Sequence, residues 1–126
     1  MAERKPLVAG NWKMYKKPRE GVLLTQAIAE RIENLVDDVD VAVCPPFTGI
    51  YPVSVAIELD KLPVGLGAQD VYWEEEGAFT GQIAPNMLTD MAVDYVIVGH
   101  SERRQFFGET DETVNKKVKA VFAHGM

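Results

Sequence analysis

Four short apolar strands alternating with helical patterns predict an α/β domain with a parallel sheet. Three observations carry this prediction. The strands begin near residues 7, 39, 64 and 94, and each interval leaves room for a crossover helix. Apolar positions in the intervening segments recur at helical spacing. The 126 residues are 47% hydrophobic and 25% charged, the composition of one ordinary domain, and no interdomain linker is visible.

Leu7-Val8-Ala9-Gly10 is the first strand. Pro18 suits a first helical position, where its missing amide has no partner to lose, and Leu24, Ile28, Ile32 and Leu35 follow at spacings of 4, 4 and 3. Val39 to Val43 is the second strand, stopped by Cys44-Pro45-Pro46-Phe47, and Ser54 to Leu59 predicts a short helix. Leu62 to Ala68 is a third strand, weakened by Gly65 and Gly67. Asp94 to Val98 is the fourth, with a helix start at His100-Ser101. In the last helix Thr110 is the cap, Asp111 and Glu112 sit where the helix dipole favours negative charge, and Val114, Val118, Val121 and Phe122 form the apolar stripe before Gly125. Such a sheet either lies open and doubly wound or belongs to a closed barrel of eight β/α units, which takes about 250 residues; length alone favours the open sheet.

Thirteen Lys plus Arg against nineteen Asp plus Glu give a formal charge of −6, which argues against a nucleic-acid or anionic-membrane surface and requires any phosphate site to be local. Cys44 is the single cysteine and cannot form an internal disulfide, and no Cys/His spacing offers a metal site, so a reducing, cytoplasmic setting is expected. No segment has the length of a signal-peptide core with cleavage site or of a membrane span. Glu74-Glu75-Glu76 reads as a solvated loop, and His124 has no evident partner.

Continued strand alternation puts Ala9, Asn11 and Lys13 on one face. At the C-terminal end of a parallel strand, that amide and ammonium face the ligand crevice, where a lysine can bind a phosphate or a developing oxyanion. The structural alternative is a solvated strand end beside Lys16 and Lys17. The same alternation puts Val96, Val98 and His100 on one face of the fourth strand. A helix start there disfavours imidazolium and leaves a neutral ring able to donate to a carbonyl oxygen; the alternative is a capping or packed histidine. Glu102 and Arg103 either support that site or form ordinary salt bridges. Gly65-Leu66-Gly67-Ala68-Gln69-Asp70 lacks the third glycine of a dinucleotide loop, and Gly99-His100-Ser101-Glu102-Arg103 lacks the last glycine of a nucleophile elbow. Cys44, next to Pro45 and Pro46 and near Val41 and Val43, reads as a small buried filler rather than a nucleophile.

Gly10-Asn11-Trp12-Lys13-Met14, joined to Val98-Gly99-His100-Ser101-Glu102-Arg103-Arg104, closely resembles the triosephosphate isomerase family. The resemblance continues in family order through Cys44-Pro45-Pro46-Phe47-Thr48, Gly67-Ala68-Gln69, Gly77-Ala78-Phe79-Thr80-Gly81, Phe107 to Glu112 and Val114 to Val118, so it covers essentially the whole chain. Tyr15 and Asp70 stand where the family commonly has asparagine. The resemblance implies a (β/α)8 TIM barrel, of which residues 1–126 supply the N-terminal half, four parallel strands with helices. It implies a cofactor-free, metal-free isomerase of glycolysis and gluconeogenesis, homodimeric and cytoplasmic, that interconverts dihydroxyacetone phosphate and D-glyceraldehyde 3-phosphate through an enediol(ate).

In that reading Lys13 binds substrate and stabilises anionic charge, Asn11 shapes the pocket, His100 is the neutral electrophile and proton shuttle, and Glu102 is a supporting acid near Lys13. Ser101 is a weaker candidate for pocket hydrogen bonding, and Thr80, in the loop Glu74 to Gln82, would reach an asparagine of a neighbouring subunit. The family's carboxylate base, its lid and its phosphate-binding amides belong to later strands with no counterpart here, and Glu74, Glu75, Glu76 and Glu109 are not substitutes. The chain is therefore expected to be nearly inactive unless complemented by a C-terminal half. Four units also leave two free sheet edges and leave inward residues such as Val43 and Val96 without opposing layers, which favours self-association. A noncatalytic half-barrel folding or interaction module is the alternative from another class.

Overall fold

A computed structural model describes residues 3–126. Strands β1 (Leu7–Asn11), β2 (Asp40–Cys44), β3 (Gly65–Ala68) and β4 (Tyr95–Val96) form one sheet in the order β1-β2-β3-β4, every pair parallel. Helices α1 (Pro18–Ile32), α2 (Phe47–Asp60), α3 (Pro85–Asp90), α4 (Ser101–Phe106) and α5 (Asp111–Ala123) fill the connections. The strand order never reverses, so there is no switch point, and a doubly wound sheet is excluded. Four parallel strands with helices along one side make half of a barrel, as the motif resemblance implies and length alone does not.

The core lies between the sheet and its helices. Val43, Leu66 and Ala68 pack with Ala29 and Ile32 of α1, Ile50 and Val53 of α2, Leu88 of α3 and Val121 of α5. Val43 is 1% exposed, and Val96 packs against the same cluster. Both therefore face the helices. The expectation that they point inward and lack an opposing layer is corrected: the opposite, concave face carries the small residues. A Cβ added to Gly67 would meet the Cys44 Sγ at 2.5 Å, and one added to Gly65 would meet the Tyr95 ring at 3.0 Å. Close approach of β2 and β3 on that face thus depends on glycine.

Most elements follow the local chemistry read from the chain, with shifted boundaries. Pro18 opens α1, while the Lys17 amide donates to the Glu20 carboxylate at 3.1 Å. The helix ends at Ile32, and its most buried line is Gly21, Thr25, Ala29 and Ile32 rather than Leu24, Ile28, Ile32 and Leu35. The Thr25 hydroxyl is satisfied by donating to the Gly21 carbonyl at 2.8 Å. Helix α2 begins seven residues before the expected Ser54, at Phe47, and runs through Pro52. Burial of Gly49, Ile50, Val53 and Ala56 outweighs the amide that Pro52 lacks. Helix α5 is capped as its sequence predicts, the Thr110 hydroxyl accepting from the Thr113 amide at 3.3 Å. Among the described residues no helix is long and apolar enough to cross a membrane.

Candidate active site

The C-terminal ends of the strands surround a hollow of about 140 Å³, lined by Asn11, Lys13, Gln69, Ile97, His100, Glu102 and Arg103 together with Met14 and Phe107. Asn11 and Lys13 do share this hollow, but not through strand alternation. Strand β1 ends at Asn11, and Lys13 turns back with φ of 54°, its amide donating to the Asn11 side-chain oxygen at 2.9 Å. A side chain in this left-handed region is held there by its surroundings. Here the holder is Gln69, whose Nε2 donates to the Lys13 carbonyl at 2.9 Å and to the Cys44 carbonyl at 2.8 Å. One amide thus ties the ends of β1, β2 and β3 together.

His100 arrives by a second reversal. Val96 and Val98 pack toward the helices while Ile97 lines the hollow, so unbroken alternation would carry His100 to the helix side. Strand β4 stops at Val96, the Ile97 amide extends the ladder to the Ala68 carbonyl at 2.9 Å, and Gly99 turns with φ of 65°. The ring then caps α4: His100 Nδ1 accepts from the Glu102 amide at 3.0 Å. A ring nitrogen that accepts carries no proton, which places the proton of the neutral imidazole on Nε2.

Glu102 is the hinge between the two halves of this arrangement. Its carboxylate receives the Lys13 ammonium at 2.6 Å, and its other oxygen is 3.7 Å from His100 Nδ1. The hydrogen bond to Lys13 holds the Glu102 carboxyl below its ordinary value, and the same bond lifts the Lys13 ammonium above its own. Both side chains are about half exposed, so the pair fixes geometry more than it adds stability. Glu102 is the one carboxylate among the residues lining the hollow.

Behind the hollow lies a ring of four charges that the sequence did not reveal. Arg103 reaches Asp70 at 3.0 Å and Glu109 at 3.1 Å, while Lys117 reaches Asp70 at 2.7 Å and also contacts Glu109 Oε1. The Glu109 side chain is 3% exposed and that of Lys117 7%. Two cations alternate with two anions, so the buried charges compensate one another. Asp70 is thereby a partner for both cations, and Arg103 belongs to this ring as well as to the hollow.

Other candidates fall outside the hollow. Ser101 is exposed at the first position of α4, and Thr80 is exposed in the loop after β3, neither among the lining residues. That loop is ordered by stacking of Tyr72 on Trp73, with ring centres 4.1 Å apart, and by Phe79 at 4.8 Å from Tyr72. Cys44 is buried and burial pushes its thiol up, away from the reactive thiolate. His124 does have partners: its Nδ1 lies 2.7 Å from the Ala120 carbonyl and its Nε2 3.6 Å from exposed Glu75. Gln69 is the polar lining residue that sequence reasoning overlooked. Its position directly after β3, level with Asn11 and His100 at the strand ends, was the available signal.

The family model for triosephosphate isomerase matches residues 6–126. Triosephosphate isomerase of Carboxydothermus hydrogenoformans is 52% identical over 98% of this chain and 48% of its own length. The Picosynechococcus enzyme of the same name is 50% identical over 98% of this chain and 50% of its own. In three dimensions the chain superposes on triosephosphate isomerase from Bartonella henselae with a TM-score of 0.84 and 32% identity, covering 98% of this chain and 49% of that one. The chain spans about half the length of the relatives it matches, and it belongs to the triosephosphate isomerase family.

Proposed function

We propose that this chain carries the cationic and electrophilic side of a triose phosphate isomerising site, and that turnover requires a carboxylate from a complementary C-terminal half. Moving hydrogen between adjacent carbons of a hydroxy-carbonyl compound needs a base for the carbon-bound proton, an acid for the carbonyl oxygen and a group that stabilises the enediolate. His100 supplies the acid: with Nδ1 engaged by the Glu102 amide, its Nε2 proton is free to donate to one substrate oxygen and to be returned from the other. Lys13 binds the anionic substrate and offsets charge on the enediolate, with Asn11 shaping the hollow around it. The observation that carries the reading is that Lys13 and His100 line one hollow through a shared partner, Glu102.

Glu102 is a poor candidate for the base, because Lys13 holds it as a weakly basic carboxylate. It serves instead to place Lys13. The same reading gives the loop around Thr80 to contact with a neighbouring subunit. A general base is worth about 10² to 10⁴ in rate. A coupled isomerase assay tests the proposal with the 126-residue chain alone and mixed with the C-terminal remainder of a relative. Expected is near-background turnover alone and recovered turnover in the mixture, lost in Lys13→Ala and in His100→Ala. Turnover like that of an intact enzyme from the chain alone, or recovery indifferent to both substitutions, overturns it.

A further inference from the structure

We infer that Asp70 is a positioning residue for Lys13, acting by clamping together the two side chains that grip that lysine at its opposite ends. The inference rests on the reading of Lys13 as the cation that meets the substrate, but its main test requires no turnover. Lys13 is held twice. Gln69 fixes the backbone end, its amide donating to the Lys13 carbonyl at 2.9 Å, and Glu102 fixes the ammonium at 2.6 Å. The two holders belong to different segments: Gln69 follows β3, and Glu102 lies in the first turn of α4. Their separation decides where the ammonium sits, because a lysine stem gripped at one end only samples many rotamers.

The neighbours of the two holders bond to each other. Asp70 follows Gln69, Arg103 follows Glu102, and Arg103 Nη2 lies 3.0 Å from Asp70 Oδ2. The ladder between β3 and the β4 segment ends where the Ile97 amide meets the Ala68 carbonyl, and this ion pair continues the join beyond it. Arg103 is a stiff post for the purpose. Its Nε donates to the Glu109 carboxylate at 3.1 Å, and its guanidinium lies 5.2 Å from the centre of the Phe107 ring. Asp70 is steadied in turn by Lys117, which donates to Oδ1 at 2.7 Å. The charges behind the hollow therefore set the span between Gln69 and Glu102. Two properties of Asp70 can be separated. Its negative charge offsets the cations of the ring, while its Oδ2 supplies the acceptor that ties Arg103 to the segment after β3. Asp70→Asn and Asp70→Ala both remove the charge, but only asparagine keeps an oxygen for Arg103.

Pulse acylation with a limiting amine-selective ester, read by peptide mass spectrometry, reports how firmly the Lys13 ammonium is held, since only the deprotonated amine reacts. Lys61 and Lys119, exposed and outside the residues lining the hollow, serve as internal references. In the parent Lys13 reacts more slowly than either. In Asp70→Ala the Lys13 rate rises severalfold against the references, with the circular dichroism of the parent, while in Asp70→Asn it stays near the parent rate. Combining Asp70→Ala with Lys117→Met removes one anion and one cation together, keeps the remaining ring compensated, and gives the same rise in a chain whose folding is spared. Leu88→Ala weakens the core without touching the ring and leaves the Lys13 rate unchanged. In the mixture with a C-terminal remainder, Asp70→Ala lowers kcat/KM severalfold and Asp70→Asn restores most of it. Absence of turnover from every mixture counts against the proposed chemistry and leaves the labelling result standing. An unchanged Lys13 rate in both variants that carry Asp70→Ala, or a rise of the same size in Asp70→Asn or in Leu88→Ala, overturns the inference.

Discussion

At the scale of single residues, the site is built by two reversals of the backbone. Sequence reasoning brought Asn11, Lys13 and His100 to one place for the wrong geometric reason, since alternation alone separates His100 from Ile97. Positive φ at Lys13 and Gly99 makes the difference, and nothing in strand periodicity reports it. Gln69→Ala removes the donor to the Lys13 and Cys44 carbonyls, and the expected result is faster amide exchange at Lys13 and Met14 with the sheet intact; unchanged exchange there would deny Gln69 its holding role. The Lys13–Glu102 pair also fixes a pH window. Glu102 titrates below its unfolded value, so its contribution is present above that value and is lost as pH falls through the lower folded one. Lys13 titrates above its unfolded value, so its contribution is complete below that value and is lost as pH rises through the higher folded one. The pair is thus intact throughout the neutral range. Carbon-detected titration of the Glu102 carboxyl should show an acid-shifted midpoint that returns toward the ordinary carboxylate value in Lys13→Met.

At the scale of elements, the connections that are short in sequence carry the most tertiary information. Helix α4 has six residues and no buried side chain of its own, so little packing holds it. The ring of Asp70, Arg103, Glu109 and Lys117 does so instead, joining the segment after β3 to α4 and α5. No local pattern announces such a ring, because its members lie up to 47 residues apart. Lys117→Met leaves buried Glu109 with one cation in place of two and is expected to destabilise the fold by about 3 to 5 kcal/mol in urea titration. A loss below about 1 kcal/mol would mean that the charges are solvated rather than locked. Gly99→Ala acts on the same element from its other end. The new Cβ would lie 2.8 Å from Val114 Cγ2 at a φ of 65°, so a cost of about 1 to 3 kcal/mol is expected, with a shifted His100 ring resonance. Elements with strong local signals were legible by contrast: Pro18 and Thr110 each mark a helix start where the sequence puts it. Helix α2 extends beyond its local signal because Pro52 and Gly49 weaken that signal, while the burial that sustains it is tertiary.

At the scale of the whole molecule, alternation of strands and helices was enough to establish a parallel α/β sheet, and the motifs rather than the length decided between an open sheet and half a barrel. The side of the sheet that holds the core was not legible, because a strand such as Asp40–Cys44 has valine on one face and alanine and cysteine on the other, and small residues serve a concave interior as well as a buried exterior. The structure puts the packed layer outside, between strands and helices, and gives the concave side the small residues of β2 and β3, polar groups, and Leu7 and Ile97 without a packed layer over them. Stability should follow that division. Leu88 is fully buried in the helix-side core, whereas Leu7 on β1 is 46% exposed. Truncating Leu88 to alanine leaves a cavity in the core cluster and is expected to cost about 2 to 5 kcal/mol, a large share of the roughly 5 to 15 kcal/mol that holds a domain of this size. Truncating Leu7 removes surface that is already half in water, so the expected loss is under about 1 kcal/mol. Urea midpoints of the two variants, measured on dilute protein, make the comparison. Equal losses would place the stabilising contacts on the concave face after all, and the helices would then be decoration on a sheet that folds around its own hollow.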